Sequence, residues 1–444
     1  MRGPVVPLTN DIEGLAARIA ARATPVAVIG QGYVGLTLAA AAADAGFRVT
    51  GIDVDTARSQ ALSRGDLVVP GVDETLFHAG RQSGNLTFAT STGAMADALL
   101  IFVCVPTPLR DDAPDMSFVE AAAREVAAHL VAGAMVVLES TTYPGTTEQL
   151  MAPLLEEGSG LRAGTDFLLA YAPERIDPGN TKFGMRNTPR VVGGTTAQAT
   201  EAAVAFYSQL VDKVIAVSSA RAAETAKLLE NSFRHLNIAL VNELATLTHE
   251  LGIDVWEVID AASTKPFGFM PFHPGPGVGG HCIPLDPTYL SWQVRRETGR
   301  RFSLIEQALD VNKSMPSYVA ERVAEILNGQ GRPMKGARIL VLGVAYKPDI
   351  SDVRESPALH IMHALDKRDA DVRFHDFFLE HVPLSSGTRR CVRDLDEEVG
   401  TADLVVLVTP HTAYDLESIA EGARAVFDTR NAYGAERRDN IFPL

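Results

Sequence analysis

One thiol in this chain stands in a setting where it could act as a catalyst. Gly275-Pro-Gly-Val-Gly-Gly-His-Cys-Ile-Pro-Leu-Asp-Pro287 places Cys282 among four glycines, directly after His281 and four residues before Asp286. No strand or helix period runs through the segment, and its glycines and prolines mark it as a loop. The missing side chains let something approach the backbone closely. A loop cysteine is a candidate nucleophile, although by residue type alone a structural cysteine is commoner. Two further polar groups share a helix face. Lys227 and Asn231 lie four residues apart in a long apolar-periodic run, one turn from each other. Read blandly, they are a solvated lysine and an exposed amide; read chemically, they are two donors turned to a substrate.

A second constellation names a cofactor. The apolar run Val26–Ile29 reads as a buried parallel strand. It is followed by Gly30, Gly32 and Gly35 in a GxGxxG spacing that includes Tyr33 and Val34, and then by an alanine-rich helix to Ala45. A second strand over 48–54 carries Asp53, 18 residues after Gly35. Strand, glycine turn, helix and acidic strand end together make the dinucleotide fingerprint. The glycines close the turn, the pyrophosphate meets the helix N-terminus, and the acid accepts the ribose hydroxyls. Asp53 would repel a 2′-phosphate, so NAD is expected rather than NADP. Arg58 follows on the next helix, either as a cation beside that ribose or as a solvated charge.

The elements that position these groups alternate between strand and helix. Strands are expected over 99–105, 134–139, 167–170 and 214–217, and Cys104 inside the first of them reads as a small buried hydrophobe. Thr107, Thr141 and Glu174 fall just beyond strand carboxyl ends, where open α/β sheets hold ligands; each could equally be a turn residue. From Ala220 to Leu251 no glycine or proline interrupts the apolar spacing, which predicts one helix about 45 Å long at 1.5 Å per residue, a natural spine and dimer contact. Five prolines stiffen the approach to the cysteine loop. A helix over 302–328 is expected to break near Pro316, and residues 329–336 read as a linker. Strands expected at 337–344, 371–375, 404–409 and 425–428 form a second α/β unit. It has Gly343 but no GxGxxG, so it reads as a nucleotide fold that does not take a dinucleotide in the same way. The expected fold class is α/β, with two Rossmann-like doubly wound parallel-sheet domains joined by a long central helix. The expected division is 1–219 with an extension over 1–23 (a short helix at 10–23), 220–328, and 329–444.

A formal net charge of −15 argues against a nucleic-acid or anionic-membrane partner. Three cysteines and no Cys/His cluster give neither a disulfide framework nor a metal site, and the count fits a reducing cytoplasm. The first residues lack a signal-peptide apolar run, and no segment approaches the roughly 18 apolar residues of a membrane span.

An NAD fold needs no thiol to oxidise an alcohol once. A thiol becomes useful when the aldehyde must go further: the thiolate adds to the carbonyl, the hemithioacetal loses hydride to NAD, and water cleaves the thioester. The rival readings are a two-domain hydroxyacid-type dehydrogenase using a lysine and one hydride transfer, and a non-enzymatic NAD-binding module.

Gly279-Gly-His-Cys-Ile-Pro-Leu-Asp-Pro287, Glu224-Thr-Ala-Lys-Leu-Leu-Glu-Asn231, Glu139-Ser-Thr-Thr-Tyr-Pro-Gly145, Ala172-Pro-Glu-Arg175 and Lys347 with Arg354-Glu-Ser-Pro357 resemble, in order, the motifs of the UDP-glucose/GDP-mannose dehydrogenase family. The resemblance implies a twofold oxidation of C6 of a nucleotide sugar, with two NAD per turnover and a dimer formed on the central helix. It implies that Cys282 carries the covalent intermediate, that Lys227 and Asn231 stabilise oxyanions, and that Asp286, Thr141 and Glu174 position water and relay protons. It places Glu174, Arg175, Lys227, Asn231, Phe272, Gly279 and Lys347 against the substrate. Gly30, Gly32, Tyr33, Val34, Gly35, Asp53, Arg58, Thr107, Thr141 and Arg354 fall about the cofactor, with Arg354 reaching either it or the diphosphate. UDP would sit on the C-terminal domain. Leu285 stands where family members acting on UDP-glucose usually carry lysine, which resembles the branch acting on N-acetylhexosamines. Residues 256–276 and 173–180 most resemble sequences acting on UDP-N-acetylglucosamine; UDP-N-acetylmannosamine, UDP-N-acetylgalactosamine and UDP-glucose stay open.

Overall fold

The computed structural model describes residues 12, 14–111, 113–176, 182–280, 283–384, 386–435 and 438–444. The chain divides into two compact units, 1–229 and 230–444. Of the stretch 220–328 set apart in the sequence, residues 220–229 group with the first unit and residues 230–328 with the C-terminal sheet.

The first unit is built on eight strands: β1 (Val26–Ile29), β2 (Val49–Ile52), β3 (Leu86–Ala89), β4 (Leu100–Val103), β5 (Met135–Leu138), β6 (Leu168–Tyr171), β7 (Arg190–Gly194) and β8 (Val214–Ala216). Their spatial order is β8-β7-β6-β5-β4-β1-β2-β3. The order reverses between β1 and β4, which opens a crevice beyond their carboxyl ends. β1 to β6 pair in parallel; β1, β4, β5 and β6 are continuous apolar runs buried on both faces, whereas β3 at the sheet edge exposes Thr87. β7 departs from that pattern: it runs antiparallel to β6, with Tyr171 opposite Gly193, and β8 lies parallel to β7. Helix α1 (Tyr33–Asp44) and helix α2 (Ala197–Tyr207) cover one face. There Phe206 lies 4.5 Å from Phe102 and 5.2 Å from Phe47, ring centre to ring centre. The helix expected over 10–23 spans Leu15–Ala20; Arg22 adopts a left-handed φ of 57° and ends it, and residues 1–11 and 13 lie outside the described residues.

Helix α3 (Ala220–Glu250) runs unbroken for 31 residues. In the second unit it is followed by α4 (Asp286–Thr298), α5 (Ser303–Gly329) and a sheet of β9 (Arg338–Leu342), β10 (Asp371–His375), β11 (Leu404–Leu407), β12 (Val426–Asp428) and β13 (Ile441–Pro443), in the order β10-β9-β11-β12-β13. Alternate strand residues divide between two cores. Ile339, Val341, Phe374 and Val406 meet Val319, Val323 and Leu327 of α5. Leu340, Leu342, Val405 and Leu407 meet Val399 and Ile419.

The break expected at Pro316 does not occur; Pro316 is buried inside α5. A proline deprives the carbonyl four residues back of its helical donor. That carbonyl, Asn312, faces the backbone of Gly277, where a Cβ would lie 3.4 Å from its oxygen.

Candidate active site

The dinucleotide turn divides its glycine roles by position. Gly30 has φ +88°, and a Cβ there would lie 2.5 Å from the Cys104 carbonyl oxygen, so only glycine closes the turn. At Gly35 a Cβ would fall 1.9 Å from the Gly30 oxygen, so glycine lets α1 pack onto the strand. Gly32, capping α1, has nothing within 4 Å of its Cβ position. That is the open approach a pyrophosphate needs at a helix N-terminus, with half-buried Tyr33 and Val34 in its first turn. Asp53, 6% exposed, accepts from the Gln31 N–H at 2.7 Å and the Asp55 N–H at 2.9 Å. Arg58, its side chain 36% exposed, pairs with the acid: its Nη1 lies 2.9 Å from Asp53 Oδ2. Thr107 is buried beyond β4, and Thr141 is half-buried beyond β5.

The same turn is built a second time in the second unit. Gly343 N–H meets the His375 carbonyl at 3.0 Å, as Gly30 N–H meets Ile52 at 2.8 Å. Val344 N–H meets Asp376 Oδ2 at 2.7 Å, as Gln31 meets Asp53. What differs is the outer face of the acid. Asp376 Oδ2 lies 3.0 Å from Nε2 of His411, whose Nδ1 accepts the Asp349 N–H at 2.9 Å. A buried imidazole thus stands where Arg58 stands in the first unit.

Helix α3 is pinned at its start by Glu224. Its carboxylate accepts the N–H groups of Gly145 and Thr147 and the Thr147 hydroxyl at 2.5, 2.8 and 2.6 Å, which fixes the segment after Thr141 to the helix. Lys227, one turn on, is 8% exposed, and no carboxylate lies within ion-pair distance of it among the described residues. Asn231 donates from Nδ2 to Asp286 Oδ2, and the two residues are 5% and 3% exposed. Asp286 is the first residue of α4, where the helix N-terminus favours a negative charge. Cys282 and His281 lie outside the described residues.

The glycines before the thiol give way to the protein itself. A Cβ on Gly279 would fall 2.8 Å from the Tyr346 Cβ and 2.9 Å from both the Glu355 oxygen and Pro357 Cδ; Gly280 N–H donates to the Arg354 carbonyl at 3.1 Å. Phe272 packs edge-on to Phe233 at 5.8 Å, and His273 stacks on Trp256. Lys347 is half-buried on the same stretch as Tyr346. Arg354 is exposed and forks Asp352 at 2.6–3.0 Å.

Glu174 is less available than a strand-end position implies. Its Oε1 accepts the N–H groups of Arg175 and Ile176 at 2.6 Å each, and its Oε2 accepts from Arg190 Nη1 at 2.7 Å. The Arg175 side chain turns away to the Pro189 carbonyl at 2.7 Å.

Two residues with no motif around them emerge here. Arg190 is buried against Glu139 and Glu174. Arg430, beyond β12, lies over the backbone of Gly275, where a Cβ would meet its Nη1 at 2.4 Å. Burial lowers its pKa to about 10, with Asp428 only partly opposing, so it stays charged at neutral pH. A cation two residues after Asp428, at a strand carboxyl end, was the available signal.

Fold and turn define a dinucleotide-dependent α/β oxidoreductase. Residues 24–211 match the NAD binding domain of the UDP-glucose/GDP-mannose dehydrogenase family, 221–314 its central domain and 340–435 its UDP binding domain. The chain belongs to this family of NAD-dependent UDP-sugar dehydrogenases. It is 37% identical to a UDP-N-acetyl-D-mannosamine dehydrogenase of Pyrococcus horikoshii, over 91% of this chain and 95% of that one. It is 35% identical to an NDP-N-acetyl-D-galactosaminuronic acid dehydrogenase of Ralstonia solanacearum, over 93% and 97%. Its fold is similar to the solved UDP-D-ManNAc dehydrogenase of P. horikoshii (TM-score 0.86, 34% identity, 95% and 99% covered). It is also similar to a UDP-glucose dehydrogenase of Pyrobaculum islandicum (TM-score 0.82, 28% identity, 99% of each chain). No helix among the described residues is long and apolar enough to cross a membrane.

Proposed function

We propose that this enzyme oxidises C6 of a UDP-N-acetylhexosamine twice, from alcohol to carboxylate, through a thioester on Cys282. NAD supplies the hydride acceptor in each oxidation; the residues about Gly32 and Asp53 fit it. The observation that carries the reading is Lys227, a buried ammonium without a carboxylate partner among the described residues, one turn before the Asn231–Asp286 pair. A lone cation and an amide donor on one helix face suit an oxygen that gains negative charge. Cys282 Sγ adds to the aldehyde carbon, Lys227 and Asn231 hold the oxyanion, and Asp286, Thr141 and Glu174 orient water onto the thioester and take its proton. In the second unit, Lys347 and Arg430 bring positive charge for the diphosphate.

Leu285 and the N-acetylhexosamine-specific names of the relatives support an acetamido sugar. Among these, the relatives favour the manno configuration; UDP-N-acetylglucosamine is the second reading, favoured by residues 256–276. Initial rates on UDP-N-acetylmannosamine, UDP-N-acetylglucosamine, UDP-N-acetylgalactosamine and UDP-glucose test this. UDP-glucose as the best substrate by kcat/KM contradicts it.

The exposed stripe Leu229, Phe233, Leu240 and Leu247 along α3 fits a second copy of this chain, giving a homodimer.

A further inference from the structure

Beneath the Glu174 turn, three strands and a helix of the first unit bring charge together in the interior. Arg190 opens β7, Glu139 follows β5, Glu174 follows β6, and Tyr207 ends α2. All four are at most 9% exposed. Arg190 Nη1 donates to Glu174 Oε2 at 2.7 Å, and Nη2 lies 2.5 Å from Glu139 Oε2. The guanidinium sits 4.9 Å from the centre of the Tyr207 ring, and the Tyr207 hydroxyl donates to Glu139. One positive charge therefore serves two interior carboxylates. The antiparallel course of β7 is what turns Arg190 into this position beside β6.

We propose that Arg190 is a positioning residue of the reaction. By its hydrogen bond to Oε2 it holds Glu174 ionised and fixed in rotamer, while Glu139 competes for the same guanidinium. The inference rests on the reading of Glu174 as the group that takes a proton in thioester hydrolysis. The geometry separates the two acids. Both touch Arg190, Glu174 through Nη1 and Glu139 through Nη2, but Glu174 adds two backbone N–H donors where Glu139 adds a single phenol. Burial alone would raise Glu174, but Arg190 and the backbone donors outweigh it and hold the carboxyl below its usual range. Burial raises Glu139, with Arg190 only partly opposing and the Glu174 charge adding to it. Two carboxylates in one site with opposite displacements mark divided roles, one charged for chemistry and one buffering the cation. A purely structural ion pair would affect folding and leave the pH dependence of turnover alone.

The test is the pH profile of kcat. Arg190→Gln alone strands two carboxylates in the core and can fail to fold, so the informative variant is the double Glu139→Gln/Arg190→Gln, which removes one charge of each sign. It is expected to fold and to carry an acid limb at least one pH unit above that of the parent enzyme, with KM for the UDP-sugar changed less than threefold. Arg190→Lys, which keeps the charge, is expected to bring the limb back towards the parent. An unmoved limb in the double variant, with turnover abolished in Glu174→Gln, overturns the role of Arg190 while leaving that of Glu174 intact. Full turnover in Glu174→Gln overturns the reading of Glu174 and the inference with it.

Discussion

Asn231 donates its side-chain N–H to Oδ2 of Asp286, tying the middle of the long helix to the first residue after the cysteine loop. The residues are 55 apart in the chain and nearly inaccessible to water. The bond orients the amide and takes one face of the acid at once, so the two act as a unit rather than as separate donors.

Asn231→Ala removes a donor from a buried carboxylate. Unfolding in urea should show a loss of about 1–3 kcal/mol. If the amide also holds an oxyanion, kcat should fall by about 10²–10³-fold. A loss of stability with kcat unchanged would make the pair a structural tie.

Asp53 closes the glycine turn and faces Arg58, so one substitution should affect both recognition and charge. Asp53→Ala should weaken NAD and raise affinity for NADP relative to it, because Arg58 is left unopposed. Titration of the two cofactors checks this; an unchanged NAD-to-NADP ratio would contradict it.

His235 sits one turn after Asn231, 1% exposed and beside Asn312 at 3.2 Å. Burial lowers its pKa to about 4. The unfolded chain takes up that proton near pH 6.5 and the folded one does not. Stability should therefore fall as pH drops from about 6.5 to about 4, by about 3 kcal/mol for this group. His235→Gln should flatten that part of the stability curve measured between pH 7 and 4.5; an equal slope in the variant would exclude His235 as the cause.

The stripe on α3 predicts a dissociable pair. Leu240→Arg, placed where the residue is 63% exposed, should halve the mass seen by sedimentation without lowering the melting temperature of the chain. A monomeric parent protein would contradict the reading.

The parts legible in the sequence were those set by local pattern. Val26–Ile29 and Asp371–His375 are strands to the residue, the first as a continuous apolar run and the second as a polar/apolar alternation that buries Val372 and Phe374. The unbroken α3 followed from spacing alone. What escaped was tertiary. Pro316 has the chemistry of a helix breaker, yet α5 continues through it with the Gly277 backbone packed alongside. Arg190 lies in a short apolar strand that turned out antiparallel, so nothing local announced its two carboxylates. The glycines at 279 and 280 read as room for a ligand, whereas their Cβ positions are taken by Tyr346, Glu355 and Pro357.

The central claim is that a thiol carries the second oxidation. The most direct measurement is to count NADH formed per UDP-N-acetylhexosamine consumed, in the parent enzyme and in Cys282→Ala. The account predicts two NADH and a uronate from the parent, and no uronate from the variant while NAD still binds. One NADH per sugar from the parent, or a ratio of two retained without the thiol, would contradict it.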